Sequence, residues 1–364
     1  MRAIIKKVGS IVACRMDWPA LPLEPLPEQP GKKLWLTPRA FLQAINGPAL
    51  AQWALQVASW LRPPRWPKGP GGRPRSYTDP SVLLMAVVQT AWRMSYADIV
   101  DYVRSHSDLA DLLGFTRRTS SGRVISISQG QYWERRAALG ILPLLLFFLG
   151  IVAQLVRLGV VVGRELIVDS TRLEAWRHAD PGAAWSRYAG QAAMFGYKVH
   201  TVLCHYADLP VFVVITPANV HDSLVGFLCL MAAVLIYGFR VWVVYADAAY
   251  FDHRMLGFIH DVLGASPAVD YNLRGKGKRF LATLFFLSQW RHYVLGPRSA
   301  IERHFAWIKR YFGLKYFQCY TFVRVSQFVL LTYIVAVGVA LAAKRYNRPD
   351  LVRSRCSVLA HARP

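Results

Sequence analysis

Two apolar runs of strand length, each closed by an aspartate, constrain the fold more than any other feature: Leu166-Ile-Val-Asp169 and Val241-Trp-Val-Val-Tyr-Ala-Asp247. Short apolar runs bounded by polar residues read as strands buried on both faces, and such strands need helices to cover them. The neighbouring segments supply both. Glu165–Thr171, Phe195–His205 and Leu209–Pro217 read as three strands, the last two joined as a hairpin. His221-Asp222 opens a helix to Phe239, Arg240–Ala246 is a fourth strand, Phe251–Leu263 a helix, and Ala265–Leu273 a fifth strand. This order predicts an α/β fold: a mixed five-stranded sheet with flanking helices, in which the first and fourth strands are parallel neighbours about 4.8 Å apart. Asp169 and Asp247 then meet at their strands' ends.

A third acid comes from the stretch Arg298-Ser-Ala-Ile-Glu302-Arg-His-Phe-Ala-Trp-Ile-Lys309. On a helix, Arg298, Glu302 and Lys309 share one side, while Ile301, Phe305, Ile308 and Phe312 form an apolar stripe beside them. Taken alone, Arg298 and Glu302 read more simply as an i,i+4 salt bridge on a solvated face. Beside two aspartates the same residues take on chemistry. Carboxylates that close repel unless one is protonated or a cation lies between them. Oxygen donors without a cysteine or histidine cluster suit Mg²⁺ or Mn²⁺ rather than zinc. With Glu302 the set forms a cage for two ions about 3.5–4 Å apart, the arrangement that phosphodiester cleavage and strand transfer require. Arg298 and Lys309 then hold backbone phosphates.

Charge points to the same partner. Lys and Arg total 44 against 21 Asp and Glu, a net +23 over 364 residues, which suits a long polyanion such as DNA. Five scattered cysteines without a C-x-x-C pair predict a reducing cytoplasm, and Met1-Arg-Ala-Ile-Ile-Lys-Lys-Val lacks the apolar core of a signal peptide. The rival class is a basic polytopic membrane protein, because Ala137–Val156 is uncharged over the length of a span and two shorter apolar runs follow, 223–239 and 328–343.

Upstream, residues 1–76 read as an irregular Pro/Trp-rich arm, with Arg73 and Arg75 among the basic residues that lie on an anionic partner or in solvent. Residues 77–160 read as a small all-helical domain. Asp79 serves as N-cap before Pro80, Ser95 opens a second helix, and a helix after Ser128 holds Trp133-Glu-Arg-Arg136. With Arg117, Arg118, Arg123, Arg135 and Arg136 nearby, it is either a helix-turn-helix reader of DNA or an interaction module. Residues 161–345 form the α/β domain, its last helix, 322–344, packing on the sheet, and 346–364 a disordered basic tail. Lys198 and His200, on one face of the second strand, either approach DNA, orient a carboxylate, or sit in the core. Asp222 and Asp252 compete with Asp247 as second acid, and Asp222 reads more plainly as an N-cap. Trp290 and Trp307 flank Glu302 as core residues or as aromatic wedges for a displaced base.

The spacing Arg298-x3-Glu302-x6-Lys309, with Asp169-Ser-Thr, Gly196-Tyr-Lys-x-His200, Ala218-Asn-Val-His-Asp222 and Asp247-Ala-Ala-Tyr250, resembles the DDE transposases of bacterial and archaeal insertion sequences. Within them it is similar to the branch marked by Tyr-x2-Arg-x3-Glu-x6-Lys. The resemblance implies a ribonuclease H-like core in which Asp169, Asp247 and Glu302 bind Mg²⁺ or Mn²⁺ and catalyse cleavage and strand transfer. It further implies that Arg298 and Lys309 contact the transposon end, and that a homodimer acts on terminal inverted repeats and target DNA in the nucleoid. At one position the chain departs: the pattern's Tyr falls on Leu295, and the nearest tyrosine is Tyr293. A catalytically silent DNA-binding descendant, or a nuclease that cuts without joining, are the alternatives.

Overall fold

The structure is a computed structural model that describes residues 18–29, 31–61, 77–187, 192–270, 296–315 and 317–360. Arg73, Arg75, Trp290, Tyr293 and Leu295 lie outside the described residues. The chain divides into two compact units, one spanning Val156–Phe322, the other Trp18–Leu155 with Val323–Pro364.

The second unit is helical. Its elements are α1 (Pro38–Ala44), α2 (Gly47–Leu61), α3 (Asp79–Trp92), α4 (Tyr96–Ser105), α5 (Ser107–Leu112), α6 (Gln129–Ala138) and α7 (Leu142–Arg157). Helices α1 and α2 correct the irregular arm: Thr37 caps α1 ahead of Pro38, and Phe41, Leu42, Leu50, Ala51 and Ala54 are fully buried. Proline at the first helical position is a start signal rather than a breaker. Ser95 with Asp98 and Ser128 with Gln131 form capping boxes at α4 and α6. Thr78, not Asp79, caps α3, which frees Asp79 to pair with Arg135 at 2.6 Å. Arg118 is likewise held by Asp111 and Arg136 by Gln89, whereas Arg117 and Arg123 are exposed.

In the first unit, six strands form one sheet among the described residues: β1 (Glu165–Glu174), β2 (Ala184–Ser186), β3 (Met194–Cys204), β4 (Leu209–Pro217), β5 (Val243–Ala246) and β6 (Ser266–Val269). The order is β2-β3-β1-β5-β6, with β4 also on β3. The expected five strands are joined by β2, which pairs with Met194–Gly196 where β4 has stopped. As expected, β1 and β5 are parallel neighbours, Val168 opposite Ala246. One expectation fails: Asp169 does not close its strand. β1 continues to Glu174, antiparallel to β3, because β3 runs far enough to pair with all of it.

Alternation along β1 assigns its two faces. Ile167 joins Leu203, Tyr245, Ala268 and, from α10 (Ser299–Tyr311), Ala300, Ile301 and Phe305 in one buried cluster. Val168 faces the other way, against α8 (Asp222–Tyr237), where a Cβ on Gly226 would stand 3.1 Å from Val168 Cγ1. Helix α9 (His253–Gly257) follows β5.

The sequence places the long apolar helix α11 (Phe322–Arg345) on the sheet, but from Val323 onward it belongs to the helical unit. A Cβ on Gly338 would meet Phe41 Cζ at 3.0 Å, and Tyr333 packs edge-on to Phe148. Gln327 Nε2 donates to the carbonyls of Arg136, Ala137 and Gly140, closing the C-terminal end of α6, where carbonyls lack helical partners. The basic tail is ordered through residue 360. Short α12 (Arg355–Val358) precedes a parallel bridge of Leu359 to Leu36, and Trp92 Nε1 donates to Ala360 O. Backbone pairing with a segment distant in sequence overrides the tail's polar composition. Among the described residues α11 alone is long and apolar enough to cross a membrane, and 94% of its most apolar window is buried within the protein. The uncharged run 137–156 is split between α6 and α7, bent by 77°.

Candidate active site

The alternation that turns Ile167 toward α10 turns Asp169 the same way and Ser170 toward α8. Asp169 lies one residue past Val168 and Asp247 one past Ala246, so the two acids flank the point where the parallel β1–β5 pairing ends. Each has one oxygen fixed by backbone. Ser170 N donates to Asp169 Oδ1 at 2.7 Å, and Ala248 N to Asp247 Oδ1 at 2.6 Å, where Asp247 caps the turn Ala248–Tyr250. The other oxygen of each faces a single guanidinium. Arg298 Nη1 is 3.8 Å from Asp169 Oδ2 and 4.0 Å from Asp247 Oδ2, while its Nη2 is 3.3 Å from Glu302 Oε1. Glu302 reaches this point because α10 buries its opposite side, with Ala300, Ile301, Phe305 and Ile308 all against the core. Lys309, two turns on, donates to Thr171 Oγ1 at 2.6 Å, and Thr171 shares Asp169's side of β1. These residues line a cleft of about 1300 Å³ with Lys315.

Electrostatics separate the acids. Asp169, with 18% of its side chain exposed, is pushed up to about 7 by burial, an effect reinforced by Asp247 and Asp222 and opposed by the Ser170 N–H and Arg298. Asp247 and Glu302 are more open, 47% and 63% exposed. Lys309 is held below the usual lysine value by burial and then by the nearby cations Arg172 and Lys315.

As they stand, no three His, Cys, Asp or Glu side chains among the described residues are grouped closely enough to hold a metal ion. The acids are gathered instead on Arg298: three carboxylates from separate elements turn toward one positive charge. An all-carboxylate set suits a hard divalent ion.

The structure brings Asp169, Asp247, Glu302, Arg298 and Lys309 together, but not Lys198 or His200. In the antiparallel register Lys198 lies opposite Arg172 and His200 opposite Ser170, so both share Ser170's face and are buried beneath the sheet, at 4% and 0% exposure. Lys198 Nζ pairs with Asp222 Oδ2 at 2.9 Å, and His200 Nε2 lies 2.9 Å from Thr216 Oγ1. A contact with DNA requires exposure that neither has. Asp222 is not the N-cap, a position held by His221; its carboxylate turns inward to Ser170 and Lys198. Ser170 belongs to the motif Asp169-Ser-Thr, but nothing in the sequence pairs its hydroxyl with Asp222. Asp252 caps α9 through Arg254 N, and Trp307 is a core residue stacked edge-on to Phe312.

Residues 162–337 match the family described as the transposase DDE domain. The matched stretch contains β1, β5 and α10, and with them all three acids. No curated protein matches the chain, and no solved structure does.

Proposed function

We propose, from the transposase DDE domain matched over residues 162–337, that this chain is an insertion-sequence transposase with a ribonuclease H-like core. The observation that carries the reading is the meeting of Asp169, Asp247 and Glu302 around one cation inside that stretch. Asp169, Asp247 and Glu302 would hold Mg²⁺ or Mn²⁺, which would supply the positive charge that phosphodiester cleavage and strand transfer need. Arg298 and Lys309 bind backbone phosphates at the cleft, Arg298 exchanging carboxylate partners for phosphate oxygens. Burial of Asp169 keeps water from competing for its oxygens. The helical unit, with exposed Arg117 and Arg123, binds the terminal inverted repeats, and the chain acts as a homodimer on double-stranded DNA in the cytoplasm.

The test uses the DNA that flanks the gene as substrate, with the full chain in Mg²⁺, Mn²⁺ or EDTA. Metal-dependent nicks at the tips of an inverted repeat, followed by joining of the 3′ ends to a second duplex, support a transposase. Cuts that are never joined reduce the reading to a nuclease, and metal-independent binding without cuts removes the chemistry.

A further inference from the structure

Both aspartates of the cleft rest on one helix. At its start, Asp222 Oδ1 accepts from Ser170 Oγ at 2.8 Å and Oδ2 from Lys198 Nζ at 2.9 Å; Lys198 also donates to Val220 O at 2.9 Å. One turn later, Gly226 makes room for the ring of Tyr250, the last residue of the turn that Asp247 caps. The Lys198–Asp222 pair is nearly out of water, with side-chain exposures of 5% and 10%.

Folding alone does not call for such a pair. Desolvating two charges is costly, and an apolar pair of similar volume often stabilises a core as well or better. What the pair provides is a fixed acceptor beneath Ser170 Oγ, and the same residue's N–H holds Asp169 Oδ1. A continuous chain of bonds thus runs from Lys198 through Asp222 and Ser170 to Asp169. Resting on the transposase reading, we propose that Lys198 and Asp222, acting through Ser170, are positioning residues. They set the direction of the Asp169 carboxylate and thereby its capacity to share a divalent cation with Asp247. Groups that orient a ligand in this way are worth about 10- to 100-fold in metal affinity or activity.

The experiment compares the metal-free full chain with Ser170→Ala, Ser170→Thr, the double variant Lys198→Met with Asp222→Leu, and Asp247→Ala. Mn²⁺ binding is read by electron paramagnetic resonance, with thermal unfolding on the same samples and cleavage of the flanking DNA over a range of Mn²⁺. The double variant avoids stranding one buried charge. The expected result is a Ser170→Ala chain that still unfolds in one cooperative transition, its midpoint lowered only by the loss of the hydroxyl donor to Asp222, with Mn²⁺ affinity lowered about 10- to 100-fold, cleavage recovered at high Mn²⁺, and affinity retained by Ser170→Thr. The double variant should fold yet share the Ser170→Ala defect. Wild-type Mn²⁺ affinity in both Ser170→Ala and the double variant overturns the positioning role and leaves the acid site intact. A wild-type chain that binds Mn²⁺ no better than Asp247→Ala overturns the site itself, and the positioning role with it.

Discussion

Lys309 Nζ donates to Thr171 Oγ1 at 2.6 Å, which ties the last turn of α10 to the strand that carries Asp169. The bond keeps a partly desolvated ammonium at the cleft beside Arg172 and Lys315, where a phosphate is the natural counter-charge. Lys309→Ala should therefore weaken binding to all duplexes alike and lower the salt slope of binding by about one. Titrations at several salt concentrations check this; an unchanged slope would mean that Lys309 meets no phosphate.

The raised Asp169 carboxyl makes a pH prediction whose sign is fixed. Its folded value, about 7, lies above the ordinary 3.8, so the folded chain binds the extra proton between those values. Its contribution to stability is fully present below about pH 4 and is lost as pH rises through 7. In EDTA the wild-type chain should lose stability from pH 5 to 8 relative to Asp169→Asn, by about 2–3 kcal/mol at most. Divalent-ion binding should strengthen over the same window, since the ion needs the carboxylate. Denaturant melts at each pH decide the first point; parallel curves for the two proteins would contradict it.

The acid pair was legible because hydrophobic runs are local: Leu166–Val168 and Val241–Ala246 announce strands, and parallel pairing of the two follows from their order. Glu302 was legible from helical periodicity, since Ile301, Phe305 and Ile308 mark the buried side. What the sequence withheld depends on partners far along the chain. Nothing near Lys198 says that Asp222 lies across from it, and the lysine's charge suggested exposure. Helix α11 is apolar all round, so its composition does not say which layer it joins; the match of Gly338 to Phe41 decides that. Strand β2 is three residues long, too short for any periodicity.

Gly226 carries a prediction about packing. A Cβ there would lie 2.2 Å from Tyr250 Cε1, and Tyr250 is 1% exposed. Gly226→Ala gains up to about 1 kcal/mol of helix propensity, but displacing a buried ring costs about 1–3 kcal/mol. The clash should win, giving a net loss of stability in urea melts together with slower cleavage, because Tyr250 ends the turn that positions Asp247.

In the helical unit, Gln327→Leu should destabilise by about 1–3 kcal/mol, since it removes the side-chain amide that donates to the carbonyls of Arg136, Ala137 and Gly140. Cleavage measured well below the melting point should be unchanged, and equal denaturant midpoints for the two proteins would show that water replaces the amide.

Asp169, Asp247 and Glu302 should act as one active site. The most direct measurement is the rate of end nicking in Mg²⁺ for wild type and for the three single alanine variants, with binding to the uncut repeat measured in parallel. Each variant should bind the repeat but lose nicking by at least about 100-fold, and combining two substitutions should add little to either alone. A variant at any of the three positions that nicks at the wild-type rate would contradict it.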